Sequence, residues 1–484
     1  MQYDIIIIGS GLGGLECGYI LAKKGYKVCV LEQNTQIGGC LQSFRRGNML
    51  FDTGFHCVGG LDEGQSLHWL FKYFDLLDLP WHRMDSGFAE VVLNEKSYIL
   101  ASGHERFVDT LSAEFPQDRK EIENYTALLK NVGTSIFDNF SKDAPSLSEK
   151  AENGTFGLAA YRFMENSIGN KRLINVLSGA SLKMELSKET LPLYIFAQIN
   201  NSFIQSAWRL AGCGSMIADK LAANIRKMGG TIFTKTKVTR MVEKGGKIVA
   251  VETEGNNRFE AQWFISDVHP SATLDLIDES ACIRKIYRKR ITALPNTFGM
   301  FTVHLKLKND AIHYFNRNIF VYDGDDVWAS HQYNAGATSQ RQAVMISCRV
   351  PEQGEFTDNI DILSPMHFQE IARWKDSATG RRGEDYEIFK QRCAAECIAL
   401  AKRAIPNLQQ SIDRIYTSSP LTYRDYTGTC EGSAYGIRKD CNRLMHTMLT
   451  PRTPIANLLL TGQNLNLHGI LGVSMTSLLT LREF

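Results

Sequence analysis

The first 32 residues constrain the fold more tightly than any other stretch of the chain. An isoleucine-rich run over residues 3–8 leads directly into Gly9-Ser10-Gly11-Leu12-Gly13-Gly14. A helical stretch to Lys24, a stop at Gly25 and a second apolar run, Lys27 to Glu32, follow. An apolar run bounded by glycine reads as a fully buried parallel strand. Strand, helix and strand together make a βαβ unit of about 30 residues. Gly9 makes the tight turn, Gly11 lets the backbone approach a pyrophosphate, and Gly14 lets the helix pack close to the strand, with Gly13 on the same loop. The free N–H groups and partial positive charge at the helix start suit phosphate. Glu32 ends the second strand 18 residues after Gly14. A carboxylate there accepts hydrogen bonds from a ribose and repels a 2′-phosphate. Glycine-rich turns alone are common, but here strand, helix, second strand and terminal acid agree on a dinucleotide-binding α/β domain.

Which dinucleotide it holds is decided further along. Gly38-Gly39 lies just after Glu32, within Gln36-Ile37-Gly38-Gly39-Cys40-Leu41-Gln42-Ser43. A plain NAD domain has no reason for a second glycine pair there. FAD does, because its pyrophosphate and ribityl chain need a second close backbone approach. Phe51-Asp52-Thr53-Gly54-Phe55-His56 follows. With these residues the chain resembles the retinol saturase, carotenoid isomerase and phytoene desaturase group of flavoproteins, and most of all its retinol saturase-like branch. The same resemblance is carried by Ala211 to Pro270, by Tyr423 to Gly436, and by Thr461 to Asn464 with His468 to Ser474.

The resemblance implies a Rossmann-type FAD-binding domain, parallel sheet plus β-meander, with an inserted α+β substrate domain. Residues 1–104, 205–275 and 451–484 are expected in the FAD domain, and 105–204 and 276–450 in the substrate domain. It implies noncovalent FAD held by Gly9, Gly11, Gly13, Gly14, Glu32, Gly38, Gly39, Ser43 and Gly54. The backbone at Val238 would meet the adenine, and Gly462 and Asn464 the ribityl–phosphate region. Gly469, Gly472 and Val473 would lie at the flavin, where a helix N-terminus favours negative charge. The group often has aspartate where Asn464 stands; an amide still hydrogen-bonds a ribityl hydroxyl.

Elsewhere the pattern is coarser. Residues 105–200 read as helical, and a helix is expected from Ser215 to Lys227. A meander of four strands is expected at Thr231–Lys235, Lys237–Glu243, Lys247–Glu252 and Arg258–Ser266, with turns at Gly245-Gly246 and Gly255-Asn256-Asn257. Further strand-like runs are Phe301–Leu307, Ile319–Tyr322 and Ala343–Val350. Residues 385–404 read as a long helix, Asn457–Thr461 as a short buried strand, and a last helix begins near Val473. The net charge of +2 gives no reason to expect nucleic acid. There is no basic region ahead of an apolar segment at the N-terminus, and no apolar run reaches about 18 residues. The eleven cysteines are scattered without a Cys-x-x-Cys, and Cys393 and Cys397 sit at helical spacing as a core face. A cytoplasmic location without a metal site is expected, with peripheral membrane contact through the aromatic stretch Leu67 to Trp81 as a minor reading.

A flavin carries hydride chemistry itself, so the lack of a catalytic triad is no objection. The resemblance implies action on a carbon–carbon bond of a lipophilic, polyene- or retinoid-like substrate, by saturation, desaturation or isomerisation. NAD(P)H as reductant is left open, because no second nucleotide fingerprint is present. His56 and Tyr435 are the catalytic candidates, with His468 expected to support the flavin loop. Two other functions fit the fold: a flavin amine oxidase, and a prenyl-binding protein of the GDP-dissociation-inhibitor type that uses no flavin.

Overall fold

The computed structural model describes residues 2–138, 157–332 and 340–484. Its first sheet is built on β1 (Gln2–Ile8), α1 (Leu12–Lys23) and β2 (Val28–Leu31). Ile5 to Ile8 and Val28 to Leu31 are buried throughout, as a strand covered on both faces must be. The parallel order is Thr231–Phe233, β2, β1, Arg258–Ser266, with Leu458–Leu460 beside the last. Val238–Lys244 and Lys247–Thr253 join antiparallel to Arg258–Ser266 as the meander. Thr231–Phe233 is not part of that meander: it pairs parallel with β2 and extends the main sheet. The register aligns Ile8 with Ser266 and Ser266 with Leu460. The chain therefore leaves three neighbouring strands at Gly9, Asp267 and Thr461 on one edge, the carboxyl edge where open α/β sheets bind ligands.

A second seven-stranded sheet runs Ile412–Ser418, Gly299–Leu307, Asn359–Met366, Ala343–Cys348, Asn318–Tyr322, Ala89–Leu93, Lys96–Leu100. The hairpin of Ala89–Leu93 and Lys96–Leu100 falls within the 1–104 stretch, yet it is bonded here through a parallel pairing with Asn318–Tyr322. Only that long-range pairing assigns it, so no local pattern could. The helix Glu384–Ala401 covers one face of this sheet. Cys393 and Cys397 both point into that core and are free thiols, as their spacing suggested.

The expected helical region contains His104–Glu114, Arg119–Asp138, Ala160–Ser167, Lys171–Ser178 and Leu193–Gln205. The part over 139–156 lies outside the described residues. Leu193–Gln205 is buried on nearly every side, packed among the other helices and in one core with the second sheet. Ser215–Lys227 forms as expected. The last helix, Gly469–Thr480, starts four residues before Val473, because Gly469 adopts φ +74° and turns the chain into it behind His468. In the aromatic stretch, Ser66–Tyr73 is helical; Leu67, Leu70 and Phe71 are buried in the core, and of its large apolar side chains only Trp69 is substantially exposed.

Candidate functional site

A cavity of about 840 Å³ begins at the carboxyl edge of the first sheet and continues between the helices and the second sheet. Its first end is made of backbone. Gly9, at φ +94°, turns the chain out of β1, and Gly11 is the N-cap of α1. Gly38 and Gly39 also have positive φ, and the Gly38 N–H donates to the Ser10 carbonyl at 2.9 Å. A methyl on Gly39 would sit 3.3 Å from Gly11 Cα. The second glycine pair is thus pressed against the first. Gly14 packs the helix on its strand: a Cβ there would lie 2.3 Å from the Gly9 carbonyl oxygen.

Asp267, one residue past the strand Arg258–Ser266, occupies the centre of this cradle. Its carboxylate accepts hydrogen bonds from the Gly14 and Gly11 N–H groups. A Cβ on Gly11, Gly13 or Gly462 would approach it to 2.5–2.7 Å. Two separate stretches of chain, the fingerprint loop and Gly462, therefore leave their side chains off around one carboxyl group. Burial pushes the Asp267 carboxyl up to about 7, opposed by those two N–H groups, with Glu32 raising it further. In the sequence Asp267 was one undistinguished position between Ser266 and Pro270.

Glu32 is buried and lines the same end. Its Oε2 accepts from Ser10 Oγ (2.6 Å) and Ser10 N–H (3.2 Å), and its Oε1 from the Asn34 N–H (2.8 Å). It braces the fingerprint loop as well as facing the cavity. Gly54 and Val238 line the wall. Asn464 lines it too, but its Oδ1 accepts from the Ile437 N–H at 3.2 Å and abuts Gly436. Gly469 and Val473 bring the N-terminus of the last helix to the cavity. Three expected contacts are not on the wall: Gly14, Ser43 and Gly472. Ser43 Oγ donates to Asp52 at 2.9 Å, and Asp52 in turn accepts from the Gly214 N–H. A Cβ on Gly472 would strike the Leu467 main chain at 2.5 Å, so close helix–loop packing is what its lack of a side chain serves.

The two catalytic candidates both line the cavity but are differently engaged. Among the described residues His56 Nε2 has no hydrogen-bond partner; it stands 3.9 Å from Asp361 Oδ2, while Asp361 Oδ1 bonds His304 Nδ1 at 2.6 Å. Burial pulls the His56 imidazole down to about 4, against the raising effect of Asp361, so the ring is neutral. Tyr435 donates its hydroxyl to the Leu182 carbonyl at 2.6 Å and packs on His468, ring centres 4.6 Å apart. His468 Nε2 binds the Lys183 carbonyl at 2.9 Å. Burial holds the Tyr435 hydroxyl well above its usual range and the His468 ring down to about 4.

The far end of the cavity is apolar, walled by residues such as Met84, Phe88, Ile199, Phe320, Met345 and Leu363. Lys183 opens into it. Neither Lys183 nor this wall carries a sequence motif; tertiary packing alone assembles it. Among the described residues no cluster of His, Cys, Asp or Glu is arranged to hold a metal ion, and no helix is long and apolar enough to cross a membrane.

A family model for the NAD(P)-binding Rossmann-like domain matches residues 7–74, the fingerprint and the second glycine pair. The chain is 26% identical to the all-trans-retinol 13,14-reductase of Rattus norvegicus over 516 residues, 99% of this chain and 85% of that one. It is 24% identical to prolycopene isomerase 1 of an Oncidium hybrid cultivar over 466 residues, 90% and 75% of the two chains. In fold it matches the crystal structure of an oxidoreductase from Methanosarcina mazei, with a TM-score of 0.66, 15% identity and full coverage of both chains. The chain is thus similar, along nearly its whole length, to named reductases and isomerases.

Proposed function

We propose that this chain is an FAD-dependent oxidoreductase that acts on a carbon–carbon bond of a lipophilic, polyene- or retinoid-like substrate. The observation that carries the reading is one continuous cavity with a glycine-built anion cradle at one end and an apolar chamber at the other. Asp267 on the Gly11 and Gly14 N–H groups marks the cradle as an anion site, so a diphosphate fits the donors present. Similarity to retinol reductases over 99% of the chain supports the substrate class.

In this reading Gly11, Gly13 and Gly39 admit the diphosphate, Glu32 the ribose, and Val238 the adenine. Gly462 and Asn464 would flank the ribityl chain, and the helix start at Gly469 and Val473 the pyrimidine ring, with Gly54 beside them. When bound, FAD supplies the hydride-transfer chemistry. The chain's own work is to position and to exclude water. His56, neutral and with a free ring nitrogen, is suited to accept or share a proton at the chamber wall. The Tyr435 hydroxyl is committed to a main-chain carbonyl, so we assign it a positioning role. A cationic amine substrate would meet the Lys183 ammonium, which disfavours the amine-oxidase alternative.

The test is direct. Purified protein should release FAD on denaturation, and its anaerobically reduced form should be reoxidised by all-trans-retinoids or carotenoids. A protein that neither carries nor takes up FAD would overturn the reading, and a reduced form indifferent to every polyene would remove the substrate class.

A further inference from the structure

Lys183 is a cation in the wrong surroundings for a structural lysine. It lies on the connection between the helices Lys171–Ser178 and Leu193–Gln205 and lines the cavity. Its Nζ stands 3.5 Å from the centre of the Phe203 ring and 5.9 Å from that of Phe88. Among the described residues it has no ion pair and no hydrogen-bond acceptor; the nearby polar group is the Cys57 thiol. Two aromatic faces stabilise an ammonium only modestly. Burial accordingly pushes the Lys183 amine down to about 7. The other cations on the cavity wall are answered: Lys237 pairs with Glu254, and Arg424 with Asp425.

The placement is held by a purpose-built frame. Tyr435 and His468, packed on each other, bind the carbonyls of Leu182 and Lys183 in succession. Two aromatic side chains from distant segments thus fix the main chain that displays this amine. A lysine left without a carboxylate, aimed into an apolar chamber and fixed from behind, is a site for an anion that the ligand brings.

We propose that the substrate is an unsaturated lipophilic acid whose carboxylate pairs with Lys183, its chain lying along Phe88, Phe203 and Phe320. This rests on the reading of the chamber as a polyene site and names the polar end of the ligand. The charge pair forms in a desolvated place, where an ammonium and a carboxylate interact far more strongly than on a surface. An ester of the same acid would fill the chamber but leave the amine unanswered.

The experiment uses the full chain loaded with FAD, and cis-parinaric acid, a fluorescent tetraene acid, against its methyl ester. The wild type is expected to bind the acid at least about tenfold more tightly than the ester. Lys183→Met should erase that preference by weakening the acid and not the ester, while Lys183→Arg should keep it. Equal binding of acid and ester by the wild type would overturn the proposal with no variant needed, as would a preference that survives Lys183→Met. Binding of both compounds with no preference leaves the polyene reading standing; binding of neither compound removes that reading and this proposal with it.

Discussion

The two ends of the cavity are built on opposite principles. At the nucleotide end the protein removes side chains: Gly9, Gly11, Gly13, Gly39 and Gly462 leave the main chain uncovered, and the polar side chains Glu32 and Asp267 are held by that main chain and by Ser10. At the chamber end it adds them, with Met84, Phe88, Phe203, Phe320 and Met345 around one amine that has no acidic partner among the described residues. A backbone-made site tolerates almost no substitution, because a new Cβ meets neighbouring main chain or the Asp267 carboxyl that the loop encloses. A side-chain-made site can be reshaped residue by residue, which suits the variable half of the ligand. Fixed cofactor and adjustable substrate are therefore separated along a single cavity.

The largest effect should come from putting a side chain where the backbone end excludes one. Gly14→Val places a methyl-bearing carbon on the Gly9 carbonyl. Overpacking of this kind costs roughly 1–3 kcal/mol, and more when main chain must shift. Thermal melting should fall steeply and FAD content should fall with it. Met345→Ala at the other end should keep full FAD content while weakening polyene binding. If both variants lose FAD alike, the two ends are not separable. Gly472→Val belongs with Gly14→Val: its clash is with Leu467, so stability and FAD should decline together.

Glu32→Ala is expected to come next. It removes the acceptor for Ser10 N–H, Ser10 Oγ and Asn34 N–H, and with them about 1–3 kcal/mol. Isothermal titration should show weaker FAD binding, with a lower melting temperature of the cofactor-free protein as well. A loss of affinity with unchanged melting would mean that Glu32 serves the ligand alone.

How far the sequence discloses each end follows from the same contrast. Glycine at a positive φ or against a neighbouring main chain is required by local geometry, so Gly9, Gly14, Gly38 and Gly462 stand out in the sequence as motifs. The βαβ unit, the meander and the last helix are legible for that reason. Asp267 is not, because its meaning arises only when the ends of three strands align in register. Lys183 is not either, since an isolated lysine looks solvated until Tyr435 and His468, more than 250 residues away, are seen to hold its backbone. The strands Asn359–Met366 and Ile412–Ser418 and the hairpin 89–100 escape for a related reason: long-range pairing fixes them. Tyr435 was legible as a site residue, but its hydroxyl's partner was not.

Asp267 gives a pH-dependent test of the backbone end. Protonated below about pH 7 it is neutral beside a diphosphate; above that it is an anion. Wild-type FAD affinity should therefore fall about tenfold between pH 6 and pH 8, and Asp267→Asn should flatten the profile. Identical profiles would show that the carboxylate moves clear of the cradle.

The smallest effect concerns Glu16, buried between α1 and the last helix and bonded to Ser474 Oγ (2.5 Å) and Ser477 Oγ (2.9 Å). Burial raises its pKa from an ordinary 4.5 to about 8, the serine hydroxyls opposing. The folded state then holds a proton that the unfolded state gives up, so stability declines as pH rises from about 4.5 to about 8. Glu16→Gln lacks that proton. Its melting temperature should gain on the wild type by a few degrees across this window, and the gain should level off above it. A constant difference at every pH would contradict a neutral Glu16 in the fold.

The central claim, one cavity with a dinucleotide at the glycine end and a lipophilic chain at the other, is tested most directly by a crystal structure with FAD and a polyene acid bound. The diphosphate is expected on the Gly11 and Gly13 backbone, the adenine at Val238 and the polyene along Phe88 and Phe320. A dinucleotide lying in the apolar chamber, or a polyene bound outside the cavity, would contradict it.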